Sequence, residues 1–433
     1  MKQTKKILGI LACAFMYSSM YLLPYIKYIF YDAVEEVTGF TNTQIGFCLS
    51  IYIIASIICT LPSGWLADKY PPKKLLVLSG IGHTILSFLA LLFIRNYAMT
   101  LVLFFGMGIT SVLGFWSPVF KAVSMSGKQE EQGKYYGWFE GLNGVGSMIF
   151  NFIALWVFSR ITSGSAAALA GVYIFYTCAS LISTLMVAFM YKPELEAVQA
   201  EAKRAAEAAP HKKASTKEIL AVLKMPKVWL FSLMVMGIYG FYAGSSYLTP
   251  YFSTVLGVSI VFSGSLATLK NYGTRLVGAP IAGHICDKIG RLKFLVIAAA
   301  ATVVLMIIFM MMPANNSALI PIMILMFAMA LVNVSMKGVQ FSALDEVGVD
   351  QSINGMAIAV ASLIGFNLPD VALHPLFGMF LDKYEAVVAY KMIFGFLLGL
   401  LVLGFVMSLL LLLMHKKDLA KAEAAKVAQA AAK

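Results

Sequence analysis

Charged side chains are scarce in this chain. Only 12% of the 433 residues are Asp, Glu, Lys or Arg, whereas 60% are hydrophobic; in ordinary soluble proteins the charged share is about 25%. The sequence also lacks a phosphate-binding glycine loop, a zinc-ligand pair and a serine-triad signature, and its five cysteines have no metal-ligand spacing. A soluble enzyme is therefore excluded, and we expect no enzymatic activity, no cofactor and no metal ion.

Long apolar runs are what the sequence has in abundance. A membrane-spanning helix needs about 20 mainly apolar residues, and twelve stretches meet this length. Their continuity excludes the alternating strands of a membrane β-barrel. The twelve stretches cover residues 7–30, 45–67, 74–94, 98–124, 135–158, 167–191, 228–252, 259–284, 292–312, 318–343, 352–376 and 388–414.

The net charge of +12 is distributed unevenly between the connecting segments. With the N-terminus inside, the cytoplasmic segments hold 24 of the 33 Lys and Arg residues, the outer loops hold four, and the spans hold five. This asymmetry follows the positive-inside rule and predicts a multi-pass protein of the bacterial inner membrane with both termini in the cytoplasm. Nucleic-acid binding is excluded because no soluble basic module is present.

Polar segments divide the chain. We expect an N-terminal six-helix bundle over residues 1–191, a cytoplasmic linker over 192–227, a C-terminal six-helix bundle over 228–414 and a cytoplasmic tail over 415–433. The two bundles repeat each other. Phe15–Tyr25 in the first span and Phe241–Tyr251 in the seventh share six of eleven residues at an offset of 226. Parallel repeats of this kind are a known transporter architecture, with substrate held between them.

A second repeat connects spans two and three, and again spans eight and nine, at an offset of 219 residues. In each copy a glycine ends the apolar run, an aspartate follows four residues later, and cations come next. The glycine permits close helix approach, and the cations stay at the cytoplasmic surface. We assign conformational gating to both copies. Their residues are Gly64, Asp68 and Lys69 in the first copy and Gly283, Asp287, Lys288 and Arg291 in the second.

This duplicated loop resembles the signature of the major facilitator superfamily of secondary transporters. The resemblance implies an all-α membrane protein with twelve transmembrane helices in two pseudo-symmetric six-helix bundles around a central cavity. Residues 39–46 are also similar to bacterial organic-anion members, including the organophosphate–phosphate antiporter group. In the superfamily, the first and seventh helices line the cavity. Their tyrosines are therefore candidate substrate contacts, with packing between helices as the alternative: Tyr21, Tyr25, Tyr247 and Tyr251.

Cations inside the predicted spans are the main candidates for substrate binding. A charge at the bilayer centre costs about 2.5–3.5 kcal/mol or more, so it usually faces a cavity. Lys270 lies eleven residues into the eighth span, or ~16 Å deep at 1.5 Å per residue. Arg275 lies ~7.5 Å nearer the cytoplasm. Three further candidates are closer to a membrane surface, where a long side chain can reach water: Lys27, Lys121 and Lys337.

The acids and one histidine of the spans are candidates for proton coupling or charge balance. Glu140, in the fifth span, either binds a proton or pairs with a lysine. Asp370 and His374 are four residues apart in the eleventh span and either form a proton-responsive pair or make a local hydrogen bond. A structural ion pair of Lys270 with Glu140 or Asp370 is the alternative to a substrate-binding lysine.

Three hypotheses of function follow. The first is alternating-access transport of a small organic anion, by proton symport or anion exchange. The second is transport of neutral solutes or amphipathic drugs, in which the cations pair internally. The third is a membrane sensor that has the fold without the transport. In each case the partners we expect are a small-molecule ligand and the lipid bilayer, and we expect a monomer.

Overall fold

The structure is a computed structural model that describes residues 2–126, 132–192, 222–349 and 354–431. The described residues are 89% helical and contain no strand. The fold class predicted from the apolar runs is therefore confirmed: the architecture is all-α and fits a twelve-helix transporter.

Eight α-helices precede the linker. Helix α1 begins the first span and α2 completes it after a short turn; α3 and α4 are spans two and three. Helices α5 and α6 together form span four, and α7 and α8 are spans five and six. Their bounds are α1 Lys2–Met20, α2 Lys27–Thr38, α3 Asn42–Lys69, α4 Pro72–Leu92, α5 Tyr97–Val112, α6 Trp116–Ser124, α7 Gln132–Arg160 and α8 Ser165–Met190.

Ten α-helices follow the linker. Helices α9 and α10 form span seven, α11 and α12 form span eight, and α16 and α17 form span eleven. Their bounds are α9 Pro226–Gly244, α10 Leu248–Thr254, α11 Ile260–Thr268, α12 Thr274–Ile289, α13 Arg291–Met311, α14 Leu319–Val339, α15 Leu344–Val347, α16 Asn354–Ser362, α17 Leu368–Lys383 and α18 Ala386–Ala431.

Several spans are interrupted. Helix α1 ends at Met20, four residues before Pro24, because the proline ring removes the amide that would donate to the Met20 carbonyl. In span seven a 3₁₀ turn at Ser245–Tyr247 precedes Pro250 in the same way. Spans eight and eleven contain π turns at Leu269–Gly273 and Leu363–Asn367. Turns of this kind occur often at functional sites.

Ten helices among the described residues are long and apolar enough to cross a membrane. The two other predicted spans are those with early interruptions. The apolar helix of the first span is short, Lys6–Met20, and the eighth is α11 and α12 joined by the π turn.

Dense packing divides the chain into two units. The first unit comprises residues 1–211, 246–273 and 374–386. Its helices approach closely where glycine leaves space: a side chain at Gly108 would collide with the Tyr52 carbonyl, and one at Gly80 with Thr184. Hydrogen bonds inside this unit include Tyr52 Oη to Ser111 Oγ at 2.8 Å and Ser19 Oγ to Ser183 Oγ at 2.6 Å.

The second unit comprises residues 212–245, 274–373 and 387–433. Its apolar core includes Phe231, Leu295 and Met336. Helices α9 and α18 touch at Gly237 and Gly404, where any side chain on Gly237 would collide with the partner backbone. Residues 193–221 of the predicted linker lie outside the described residues, so the linker and the two-bundle boundaries stay predictions. The tail predicted over 415–433 continues helix α18 as far as Ala431.

Candidate transport site

The second unit brings together two cations, two tyrosines and one carboxylate. We call Tyr239, Tyr242, Arg275, Lys337 and Asp370 the second-unit cluster. Tyr239 and Tyr242 are three residues apart on α9, so both project from one helix face. The Lys337 ammonium lies 3.7 Å from the ring centroid of Tyr242 and 4.9 Å from that of Tyr239. Cation–π attraction holds the lysine there.

Arg275 and Asp370 complete this cluster from two other helices. Arg275 Nη2 donates a hydrogen bond to Tyr242 Oη, and its guanidinium carbon lies 5.6 Å from the same ring. Tyr239 Oη donates to Asp370 Oδ2 at 2.8 Å. Asp370 is buried, with 5% of its surface exposed, whereas the two tyrosines and both cations are half-buried. Both cations are thus partly exposed, whereas the carboxylate is buried.

The π turn of span eleven shapes the wall of the second-unit cluster. The Phe366 ring belongs to this turn and lies 4.4 Å from the Tyr239 ring, centroid to centroid. Gly365 in the same turn packs on Val235 of α9 so closely that no side chain fits. The turn therefore brings an aromatic ring to the tyrosine that holds Asp370.

The first unit contains a comparable but buried arrangement. We call Lys27, Tyr28, Tyr31, Tyr247 and His374 the first-unit cluster. Lys27 Nζ donates to Tyr247 Oη at 3.4 Å and lies 4.9 Å from the centroid of that ring. Tyr247 Oη donates to the His374 carbonyl at 2.8 Å, and its ring stacks on the imidazole. Tyr28 Oη lies 3.3 Å from His374 Nε2.

Asp370 and His374 were predicted to form either a proton-responsive pair or a local hydrogen bond. Tyr239 Oη donates to Asp370, and Tyr28 Oη lies within hydrogen-bond distance of His374 Nε2. Neither contact tests the predicted pair, which stays a prediction.

Lys270 is buried, with 3% of its surface exposed. It belongs to the π turn Leu269–Gly273, which packs against α7 and α11 in the first unit. A π turn has more residues per turn than an α-helix. The α-helical rotation of 100° per residue therefore does not give the angle between the Lys270 and Arg275 side chains. Glu140, its candidate ion-pair partner, is an exposed residue of α7.

The contacts of the remaining candidates are with other residues of the chain. Lys121 Nζ donates to the Ala67 carbonyl at 2.8 Å, near the C-terminus of α3, where a cation is favourable. Tyr21 and Tyr25 form part of a row of tyrosine rings, with centroids 6.2 Å apart. Tyr251 is buried beside Phe252. These contacts agree with the packing alternative and do not test a substrate role.

The two copies of the loop motif differ in detail. In the second unit, Glu346 accepts hydrogen bonds from the Arg291 and Leu292 amides at 2.8 and 2.9 Å and so caps helix α13. Arg291 also lies 3.9 Å from Asp345. In the first copy, Lys69 lies 4.9 Å from the Trp65 ring centroid. Gly64 and Gly283 are half-buried, while Asp68, Asp287 and Lys288 are exposed.

Another carboxylate caps the N-terminus of α3 from a distant part of the chain. Asp382, at the end of α17, accepts hydrogen bonds from the Asn42 and Thr43 amides at 2.8 and 2.9 Å and from both side chains at 3.0 and 2.6 Å. Any side chain on Gly378 or Gly46 would collide with the facing backbone of the other helix, so the two helices touch closely. Both helix segments belong to the first unit.

Sequence reasoning missed Tyr239, Glu346 and Asp382. Tyr242 lies inside the repeat that begins at Phe241, but it was not predicted as a site residue. Two tyrosines three residues apart in an apolar span are a usable signal for one polar helix face. No local signal connects Asp382 to Asn42, 340 residues earlier.

The helical fold, the interrupted spans and the accessible cations define a polytopic membrane transporter. A profile of the Major Facilitator Superfamily matches residues 7–366. The chain therefore belongs to the major facilitator superfamily, and the transporter fold supports secondary transport by alternating access.

Known proteins resemble this chain over nearly its full length. Inner membrane protein YqcE of Escherichia coli (strain K12) is 29% identical over 91% of both chains. Inner membrane protein YihN of the same organism is 26% identical over 94% of this chain and 96% of its own. A bacterial homolog of the human lysosomal transporter Spinster, solved inward-facing and unoccupied, aligns with a TM-score of 0.73 and 14% identity over 96% of this chain and 98% of its own.

Proposed function

We propose that this protein carries a small organic anion across the bacterial inner membrane, by proton symport or anion exchange, and that the second-unit cluster binds the anion. The observation that carries the proposal is the pair of half-buried cations, Lys337 and Arg275, at the ring of Tyr242. A carboxylate or phosphate group on the ligand pairs with these cations. The tyrosine rings and Phe366 receive its apolar part.

Hydrogen bonds to charged groups support anion binding at these cations. Each cation has an aromatic contact, which stabilises it by about 0.5–2 kcal/mol, and Arg275 also donates to Tyr242 Oη. Hydrogen bonds to charged groups contribute about 1.5–3 kcal/mol each. An anion that reaches both cations adds such bonds to the contacts that they already make. Asp370 beneath Tyr239 reduces the local positive charge, which favours release after transport.

The remaining predicted residues have further roles in this proposal. Lys270, in the π turn, is a substrate-binding cation, and Glu140, Asp370 and His374 balance charge or carry the coupled proton. The repeated loops at Asp68 and Asp287 act in the conformational cycle. We place both termini in the cytoplasm and take the working unit to be a monomer.

Binding and transport by charge-changed variants test the proposal. Purified protein in proteoliposomes is given anionic and neutral metabolites, and uptake is compared with thermal stabilisation by the same compounds. We expect Lys337→Ala and Arg275→Ala each to weaken anion binding about 10–100-fold, the loss of one charge-assisted hydrogen bond.

The matched control is Lys391→Ala, which removes an exposed lysine of α18 outside both clusters. It should bind and transport as the parent protein does. Unchanged anion affinity in both cluster variants, with the proteins folded, would contradict an anion site at Tyr242.

One observation favours a second function, the transport of neutral solutes or drugs. Within the second-unit cluster, the tyrosines already contact both cations, and Asp370 opposes their charge. On this view the cations only stabilise one conformation. Uptake of neutral compounds that survives Lys337→Ala would support it, and ligand binding without any flux would point to a sensor.

A further inference from the structure

A groove lies on the first unit between helices α3, α4 and the α5–α6 junction, and no residue of either cluster lines it. Its volume is about 400 Å³. The walls are mainly apolar, with one cation and one tyrosine at one end. The residues used below are Leu66, Tyr70, Lys74, Leu78, Leu113 and Gly114.

The groove results from the interruption of span four. Residues 113–115 form a turn between α5 and α6. Pro118 lacks the amide that would donate to the Gly114 carbonyl, so the helix cannot continue regularly through this point. Gly114 also leaves the space without a side chain. The gap is thus built into the backbone of the span and does not depend on a flexible loop.

The polar end of the groove lies at the level where a membrane surface is expected. Trp65 and Tyr70 are exposed there, at 60% and 38%, and Lys69 lies over both rings. Exposed Trp and Tyr with neighbouring cations are typical of the membrane–water interface. One helical turn beyond Lys74, Leu78 is 66% exposed, followed by Ile81 at 45%. The groove therefore runs from interface depth into the hydrocarbon layer.

The charge at this end is positive. Lys74, an exposed residue of the first turn of α4, is the charged member of the lining. Between residues 64 and 78 the sequence has three lysines, at positions 69, 73 and 74, and one acid, Asp68. Basic residues near a membrane surface attract anionic lipids by about 1 kcal/mol each.

We propose that this groove binds one anionic phospholipid. The headgroup phosphate pairs with the Lys74 ammonium beside Tyr70, and one acyl chain fills the apolar part between Leu66, Leu78 and Leu113. The charge distribution predicts this end to be cytoplasmic, which is the leaflet where an anionic lipid would enter.

Lipid binding by the full-length purified protein tests the proposal. Phosphatidylglycerol and phosphatidylcholine are titrated separately into detergent-solubilised protein, with native mass spectrometry and thermal stability as readouts. We expect phosphatidylglycerol to bind preferentially and to raise the melting temperature. Lys74→Ala should weaken phosphatidylglycerol binding about fivefold, the loss of one lysine near an anionic headgroup.

Two further variants make the test specific. Leu78→Trp fills the groove without changing charge and should also reduce phosphatidylglycerol binding. Lys293→Ala is the matched control, because Lys293 is the third residue of α13 as Lys74 is the third residue of α4, 219 positions earlier in the repeat. This control should bind phosphatidylglycerol as the parent does.

Three results would overturn the proposal. One is equal weakening by Lys293→Ala, which would indicate general surface attraction. Another is phosphatidylglycerol binding unchanged in both Lys74→Ala and Leu78→Trp. The third is stabilisation by glycerol phosphate equal to that by the lipid, which would indicate a soluble anion.

Discussion

The two tyrosine–cation clusters use similar groups in different surroundings. In the first-unit cluster, Lys27, Tyr247 and His374 are only 4%, 1% and 0% exposed. In the second-unit cluster, both cations and both tyrosines are half-buried. A buried cation with fixed partners contributes to a single packed arrangement, because its partners cannot be replaced by water or ligand. A half-buried cation on an aromatic ring is instead partly exposed. Burial, more than residue type, separates a structural cluster from a candidate binding site.

Lys270 gives the largest expected effect and the strictest challenge to this comparison. It is as buried as Lys27, yet we expect it to serve the ligand, because it lies near mid-bilayer in a π turn. Lys270→Ala should weaken anion binding about 100-fold, or ~3 kcal/mol, while the protein stays inserted and folded. Lys270→Arg should keep part of the binding and change selectivity, because guanidinium is a planar fork. Equilibrium binding and thermal stability are measured together.

The competing explanation for Lys270 is a structural ion pair with Glu140 or Asp370. Under that explanation Lys270→Ala leaves an acid without its counterion and mainly lowers stability. A double variant that also changes the matching acid, by Glu140→Gln or Asp370→Asn, then recovers full transport. Such a recovery would falsify the substrate-binding role and would place Lys270 with Lys27 as a structural cation.

The sequence predicts a structural feature well when the residues that determine it are close together in the chain, and poorly when they are far apart. The spans follow from continuous apolar runs, and the break after Met20 follows from Pro24, since both signals are local. The expected depth of Lys270 follows from counting residues along its span. The contact of Lys337 with Tyr242 does not, because it depends on which faces of α9 and α14 meet. The hydrogen bonds of Asp382 to Asn42 likewise require packing between helices far apart in sequence.

Removing one tyrosine hydroxyl from each cluster should lower mainly the free energy of unfolding in the first-unit cluster and change mainly the anion affinity in the second-unit cluster. Tyr247→Phe deletes the group that accepts from Lys27 and donates to the His374 carbonyl. We expect a loss of about 1–3 kcal/mol in the free energy of unfolding, because buried polar groups lose their partner. Tyr242→Phe deletes the partner of Arg275 but keeps the ring beneath Lys337. It should change anion affinity with a smaller loss of stability.

Thermal unfolding of Tyr247→Phe and Tyr242→Phe measures the loss of stability, and ligand titration measures the change in anion affinity. The matched change Tyr191→Phe removes a buried tyrosine hydroxyl outside both clusters, one that donates to the Ala122 carbonyl. It reports the cost of losing an ordinary buried hydroxyl. If Tyr247→Phe alters anion affinity more than Tyr242→Phe does, the proposed division between the clusters is wrong.

Removing the charge of Asp382 should have a smaller effect, on the stability of the N-terminus of α3. The carboxylate of Asp382 caps α3, and α17, whose last turn contains Asp382, also carries His374. Asp382→Asn removes the charge that the helix N-terminus favours, at a cost of about 0.5–2 kcal/mol. We expect faster amide hydrogen exchange over the first turn of α3 and a changed transport rate with little change in anion affinity. Lys383→Gln, at the next residue, is the control and should leave exchange unchanged. Unaltered exchange in Asp382→Asn would show that the cap does not hold the helix end.

The smallest expected effect is a pH dependence at Asp32 and Glu35, on α2 beside Tyr31 of the first-unit cluster. Burial is the main cause that raises the pKa of both carboxyls, against the hydrogen bonds of Ser253 and Thr254 to Asp32 and of Asn42 to Glu35, which lower it. The folded protein then binds protons more readily than the unfolded chain. Stability from these groups is therefore greater at low pH and is lost as pH rises above their ordinary values of 3.8 and 4.5 towards the raised values.

Asp32→Asn and Glu35→Gln should remove this dependence, so the stability difference between each variant and the parent should grow with pH across that window. Each proton contributes at most about 1.4 kcal/mol per pH unit. Glu36→Gln, an exposed neighbour on the same helix, is the control. Parallel stability curves for Asp32→Asn and the parent would show that the carboxyl titrates alike in both states. The first-unit cluster would then lack a proton-responsive border, and coupling to protons would have to reside elsewhere, with Asp370 of the second-unit cluster as the next acid to test.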